Sequence, residues 1–258
     1  MLLPLFLGVR SLLMKKSKDI HTLEKIKTII LVHGALSDAS IWSGVIPLLE
    51  SKGFRVVAVQ LALTSLAEDI AITERALALE AGPVLLAGHW YGGVVITEVG
   101  NNPKVTGLVY IAALAPDRNE SAISLLDAFP PTHLFRDLTP DGHGFLKVTP
   151  RGVFDLAHDL SESQRNLLLT TQHPTAEAIF SGKVKNPAWR KKPSWFLIPS
   201  DDRAIGTDLQ KREAEKANAT ALTVTSTHLV LVSHPDKVAA FIEESVISLE
   251  NEQEYATV

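Results

Sequence analysis

The 258-residue sequence contains no cysteine. Disulfides, thiolate nucleophiles and cysteine-ligated metal sites are therefore excluded. The composition suits a reducing compartment, and a cytoplasmic location is expected. A basic surplus is also lacking: 25 Lys and Arg face 29 Asp and Glu, giving a net charge of −4. Such a balance offers no electrostatic footprint for nucleic acid. Long apolar runs are missing too. The apolar stretch in residues 1–19 is broken by Pro4 and Gly8. A spanning helix needs about 20 apolar residues, and a secretory signal puts positive charge ahead of its apolar core. Residues 1–27 are accordingly read as a leader or poorly ordered segment, with Met14 as an alternative start and export through this segment as the minor alternative to a cytoplasmic location; no membrane association is expected. There is no G-x-G-x-x-G fingerprint, no P-loop and no histidine cluster with ligand spacing. The expected cofactor and metal are therefore none.

What is present is apolar patterning, with 46% of residues hydrophobic. That is ample for one α/β domain over residues 28–258. Compact β-branched and aliphatic runs predict strands at 28–33, 54–60, 83–87, 105–112, 194–198 and 221–225. Helices are predicted at 65–80, with Leu66, Ile70, Ala71 and Leu77 inward, and at 90–100, 208–218 and 235–249. Their alternation predicts a mostly parallel sheet of about six strands with helices on both faces. Residues 117–192 break the rhythm with six prolines among scattered apolar groups. A structureless insert of that length is improbable in a compact domain. It is read as a small helical cap over the C-terminal edge of the sheet, where ligands bind in open α/β folds.

One further absence bears on chemistry. Residues 83–93 read PVLLAGHWYGG. This is the strand–turn–helix elbow G-x-S-x-G, with Trp90 in the serine position between Gly88 and Gly92. Indole cannot form an acyl-enzyme. Three other fragments follow predicted strands: His33-Gly34-Ala35, Asp201-Asp202-Arg203, and His228.

Together with the elbow, these fragments resemble the α/β-hydrolase family over nearly the whole chain from about Thr28. The likeness is strongest to small bacterial esterase-like members, distantly similar to the plant methylesterase and hydroxynitrile-lyase branch. The resemblance implies a nucleophile–acid–histidine order, here Trp90, Asp202 and His228. It also implies an oxyanion hole from the backbone N–H groups of Ala35 and Tyr91, and a small ester, lactone or other carbonyl-containing apolar substrate. Asp202 is preferred to Asp201 and Asp117 as the acid, and His228 to His234 as the base. His33 is expected to shape the oxyanion loop, and His89 to pack beside the elbow. Ser37, Ser65 and Ser226 are motif-free alternatives for a nucleophile. His133, His143, His158 and His173 in the cap lack a ligand pattern.

Two conformations are open to Trp90. Either it keeps the strained elbow geometry and packs its ring where an acyl group would sit, or the elbow relaxes into helix and misforms the hole. Both oppose ester hydrolysis. The reading is an esterase-lineage hydrolase with hydrolysis absent or vestigial. The alternatives are a nucleophile-independent enzyme using His228 and Asp202 as general base, and a non-catalytic small-ligand-binding or interaction protein.

Overall fold

β-Branched and aliphatic runs form the frame of the molecule. A computed structural model describes residues 25–255; the predicted leader, except for its last three residues, and the alternative start at Met14 lie outside the described residues. Strands β1 (Thr28–Val32), β2 (Arg55–Val59), β3 (Val84–Trp90), β4 (Val105–Ala113), β8 (Ser194–Pro199) and β9 (Thr220–Val224) make one six-stranded sheet. Its order is β2-β1-β3-β4-β8-β9, with every neighbouring pair parallel. The chain adds strands in one direction from β1 to β2 and in the other from β3 onward. The crevice between the ends of β1 and β3 is thus the switch point where an open sheet binds ligands. β1, β3 and β8 are buried along their whole length, as parallel strands covered on both faces should be. The edge strands β2 and β9 are more exposed.

Helices α1 (Ile46–Ser51), α2 (Leu66–Ala78), α3 (Tyr91–Val99), α8 (Thr207–Lys216), α9 (Val230–Ser233) and α10 (Pro235–Tyr255) accompany the sheet. α2 is capped by the Ser65 hydroxyl, which accepts from the Glu68 N–H. Its fully buried face is Leu66, Asp69, Thr73 and Leu77; of the other residues predicted inward, Ile70 packs half-buried against the core and Ala71 is half-buried. The helix turns to bring a carboxylate inward, for a reason given below. Among the described residues, no helix is long and apolar enough to cross a membrane.

The segment between β4 and β8 holds α4 (Ala122–Leu126), α5 (Pro150–Leu156), α6 (Glu162–Thr171) and α7 (Ala178–Ser181). It is not purely helical. β5 (Leu138–Pro140), β6 (Phe145–Val148) and β7 (Thr175–Ala176) form a small antiparallel sheet. The turn between β5 and β6 is made by Asp141-Gly142-His143-Gly144. Both glycines sit at positive φ, 80° and 88°, and Asp141 Oδ1 accepts from the N–H groups of His143 and Phe145. This is hairpin chemistry that the surrounding prolines obscure in the sequence.

Candidate active site

β3 runs straight into α3, and Trp90 is the hinge between them. Its backbone lies at φ 48°, ψ −115°, outside helix geometry, so the elbow is strained and not relaxed. Holding a bulky residue there costs about 1–3 kcal/mol. The surroundings enforce it. A Cβ on Gly88 would lie 2.6 Å from the Gly92 carbonyl oxygen, and one on Gly92 would lie 2.7 Å from that of His33. Only glycine lets these backbones approach. A register shift between His89 and Trp90 re-aims the strand end at this point.

The Trp90 side chain is 2% exposed. Its ring stands 5.2 Å from the His228 imidazole at 89°, and 6.2 Å from Phe180 of the cap at 45°. His228, fully buried, places Nδ1 2.9 Å from Asp202 Oδ2. Asp202 also accepts from the N–H groups of Ala204 and Ile205 at 2.8 and 3.0 Å, and from Gln210 Nε2 of α8 at 2.7 Å. Burial pushes its carboxyl up, but the facing His228 and these donors hold it below the usual carboxylate range. An ionised Asp202 keeps a proton on Nδ1 of His228 and leaves Nε2 as a bare acceptor. That Nε2 is closed off from solvent and has no hydrogen-bond partner among the described residues.

Across the crevice, the loop bearing Ala35 is pinned from two sides. His33 Nδ1 donates to the Gly34 carbonyl at 2.8 Å, and its Nε2 accepts from the Leu61 N–H at 3.0 Å. The Leu36 N–H donates to Thr175 Oγ1 of β7 at 2.8 Å. Beneath the elbow, His89 Nε2 donates to the His228 carbonyl at 3.3 Å, with the two rings 4.7 Å apart. Burial lowers His33 to about 4. Burial, then the neighbouring His228, sends His89 well below its ordinary value. Both are therefore neutral when folded, while the unfolded chain takes up protons below pH 6.5. Stability should fall as pH drops from 6.5, with His33 contributing a slope of about 1.4 kcal/mol per pH unit until its folded pKa is reached. Urea unfolding midpoints at pH 7, 6 and 5 check this; midpoints that do not fall would contradict it.

Tyr91 directs its side chain away from the crevice. Its hydroxyl donates to Asp69 Oδ2 at 3.0 Å, while Asp69 Oδ1 accepts from the N–H groups of Ala62 and Leu63. This is the carboxylate that turned α2: it ties the first helical residue after the elbow to the loop following β2. Sequence reading missed Asp69, although a charged residue in the stripe formed by Leu66, Thr73 and Leu77 was a visible signal. Thr175 and Gln210 were missed as well, and they carry no motif.

The other candidates make hydrogen bonds of their own, and of the three serines Ser37 lines the same cavity as His228. Arg190 Nε donates to Asp117 at 2.8 Å, and Asp201 meets His158 Nε2 at 2.8 Å and Arg203 Nε at 3.3 Å. His234 ends α9. Ser65 caps α2, and the Ser37 hydroxyl donates to the Gly34 carbonyl at 3.1 Å. The Ser226 hydroxyl lies between Asp159 and Ser233. Among the described residues no group of His, Asp or Glu is arranged to hold a metal.

The indole does not fill the crevice. A cavity of about 480 Å³ remains, bounded by Ala35, Trp90 and His228 below and by Val153, Leu156 and Leu168 of the cap above. An elbow at the switch point of a parallel sheet, a His–Asp pair beside it and a capped apolar cavity define a hydrolase-type α/β protein. The chain belongs to the alpha/beta hydrolase family, whose model matches residues 29–241. Among curated relatives, the Alpha/beta hydrolase nvfD of Aspergillus novofumigatus is 26% identical over 244 residues, covering 84% of this chain and 95% of that one. Methylesterase 8 of Arabidopsis thaliana is 29% identical over 208 residues, covering 70% of this chain and 75% of that one. Among solved structures, a pyrethroid hydrolase from Sphingobium faniae superposes with a TM-score of 0.75 at 19% identity, covering 86% of this chain and 98% of that one. At that identity the likeness speaks for the fold.

Proposed function

We propose that this protein is an α/β hydrolase of esterase lineage in which Trp90 occupies the nucleophile's place, so that acyl transfer is blocked while the cavity for a small apolar or carbonyl-containing molecule is retained. The observation that carries the reading is the position of the indole. It holds the elbow geometry of a nucleophile, offers no nucleophilic atom, and packs its ring against the imidazole that would activate one. In this reading Asp202 orients His228, and the Ala35 and Tyr91 N–H groups correspond to the oxyanion hole. The esterase relatives supply the substrate class: a small ester, lactone or related carbonyl compound.

A second reading, in which His228 acts as a general base on water or substrate without a nucleophile, requires Nε2 to be reachable. It is closed off in this arrangement, which favours binding without turnover. The test is hydrolysis of p-nitrophenyl butyrate by the native protein and by His228→Ala. Neither should exceed the uncatalysed rate. Native turnover that His228→Ala abolishes would overturn the blocked-site reading and establish base catalysis.

A further inference from the structure

Asp202 and His228 stand on different loops, after β8 and after β9, yet their side chains must meet within hydrogen-bond distance. The sheet aligns the strands, but both loops extend beyond it. Both are gripped by one short cap segment, residues 155–159, which spans the end of α5 and the turn leading toward α6. Asp155, buried at 2% exposure, accepts from Arg203 Nη1 at 3.4 Å. His158 Nε2 lies 2.8 Å from the Asp201 carboxylate. The Leu156 carbonyl accepts from the Leu229 N–H at 3.3 Å. Asp159 Oδ1 accepts from the Thr227 hydroxyl at 2.7 Å, and its Oδ2 from the Ser226 hydroxyl at 3.1 Å and the Thr227 N–H at 3.3 Å.

Each of these partners lies within two residues of Asp202 or His228 in the chain. Arg203 and Asp201 flank the carboxylate; Ser226, Thr227 and Leu229 surround the histidine. A carboxylate receiving three donors from two consecutive residues fixes the backbone that presents the next side chain, because each bond removes a rotation of that loop. α5 also contributes Val153 and Leu156 to the wall of the same cavity that His228 lines.

We infer that residues 155–159 are a clamp holding the two loops in register, and that Asp159 is a positioning residue for His228, setting its hydrogen bond to Asp202. This goes beyond the proposed function, because it concerns the geometry of the pair whatever chemistry the pair performs.

The test reads the His228 Nδ1 proton by NMR on protein labelled with ¹⁵N-histidine. The native protein should show a downfield, exchange-protected proton. Asp159→Ala should speed its exchange with water about tenfold or more, the effect of weakening one charge-assisted hydrogen bond. Asp159→Asn, which keeps an oxygen for the Thr227 hydroxyl, should restore part of the protection. Should Asp159→Ala fail to fold, Thr227→Val removes the 2.7 Å contact from the other side. Glu80→Gln weakens the bond from Arg55 Nε to Glu80 at the opposite edge of the sheet and controls for general destabilisation; it should lower the Tm without moving the His228 signal. Unchanged exchange in Asp159→Ala and Thr227→Val would overturn the clamp. Absence of the protected proton in the native protein would overturn the pairing and the clamp together, leaving the obstruction by Trp90 standing.

Discussion

On the proposed reading, replacing Trp90 by serine should create hydrolysis of short-chain esters, with a gain of about 10³-fold or more over the native chain. The proposed site supplies the parts this requires. The elbow sits at φ 48° because Gly88 and Gly92 allow the close backbone approach, not because of the indole, so the smaller side chain inherits the same presentation. His228 Nε2 carries a bare lone pair once Asp202 holds the proton on Nδ1, and the new hydroxyl would replace the ring that stands beside the imidazole. The serine would attack the carbonyl carbon as His228 takes its proton. The Ala35 and Tyr91 N–H groups would receive the developing negative charge, and His228 would return the proton to the leaving alcohol. The 480 Å³ cavity grows when the ring is removed, so the acyl group has room. The gain should stop short of a native enzyme's rate, since a site built around an indole has not been tuned for acyl transfer. Hydrolysis rates of p-nitrophenyl butyrate, compared between the two proteins, give the number.

In that Trp90→Ser background, Asp202→Asn should lower kcat by about 10³- to 10⁴-fold. Asp202 is an acceptor on every side: two backbone N–H groups, Gln210 Nε2 and His228 Nδ1. Asparagine keeps one oxygen for the backbone pair and turns an NH₂ toward Gln210 Nε2 and His228 Nδ1. The imidazole then moves its proton to Nε2, the tautomer that cannot accept from a hydroxyl. The amide also faces the Gln210 NH₂ donor to donor, so the Tm should fall together with kcat. Comparing kcat with KM separates the two effects: loss of the tautomer lowers kcat, whereas a general loosening of the cavity raises KM. An Asp202→Asn variant with undiminished kcat would assign the acid role to another residue.

Most of the frame was legible from the chain. All six strands of the main sheet lie where their apolar runs predicted; β1, β3 and β8, buried on both faces, need continuous β-branched and aliphatic sequence, and the edge strands β2 and β9 keep enough of it to be read. The elbow was legible for a different reason. Glycine on both sides of one residue reports backbone proximity, whatever that residue is. Two things were not legible. Trp90 left its own conformation open, since strain at the hinge is set by the approach of Gly88 to Gly92 and of Gly92 to the backbone of Val32 and His33, not by any local preference of tryptophan. The second sheet in the cap was hidden because its hairpin turn, Asp141 to Gly144, lies in a proline-rich stretch that reads as irregular. The residues that hold the site in place were harder still. Thr175 reaches Leu36 across 139 positions and Asp159 reaches Thr227 across 68, each through a single polar side chain with no periodic signal. Asp69 was the exception, a charge placed within an apolar stripe.

The most direct test of the central claim, that one side chain separates this protein from a working hydrolase, is covalent labelling with a fluorophosphonate followed by intact-mass measurement. The account predicts no adduct on the native protein, a single adduct on Trp90→Ser located at position 90, and none on Trp90→Ser combined with His228→Ala. A histidine-dependent adduct on the native protein would show that another nucleophile already operates in this cavity, and Trp90 would not be the block.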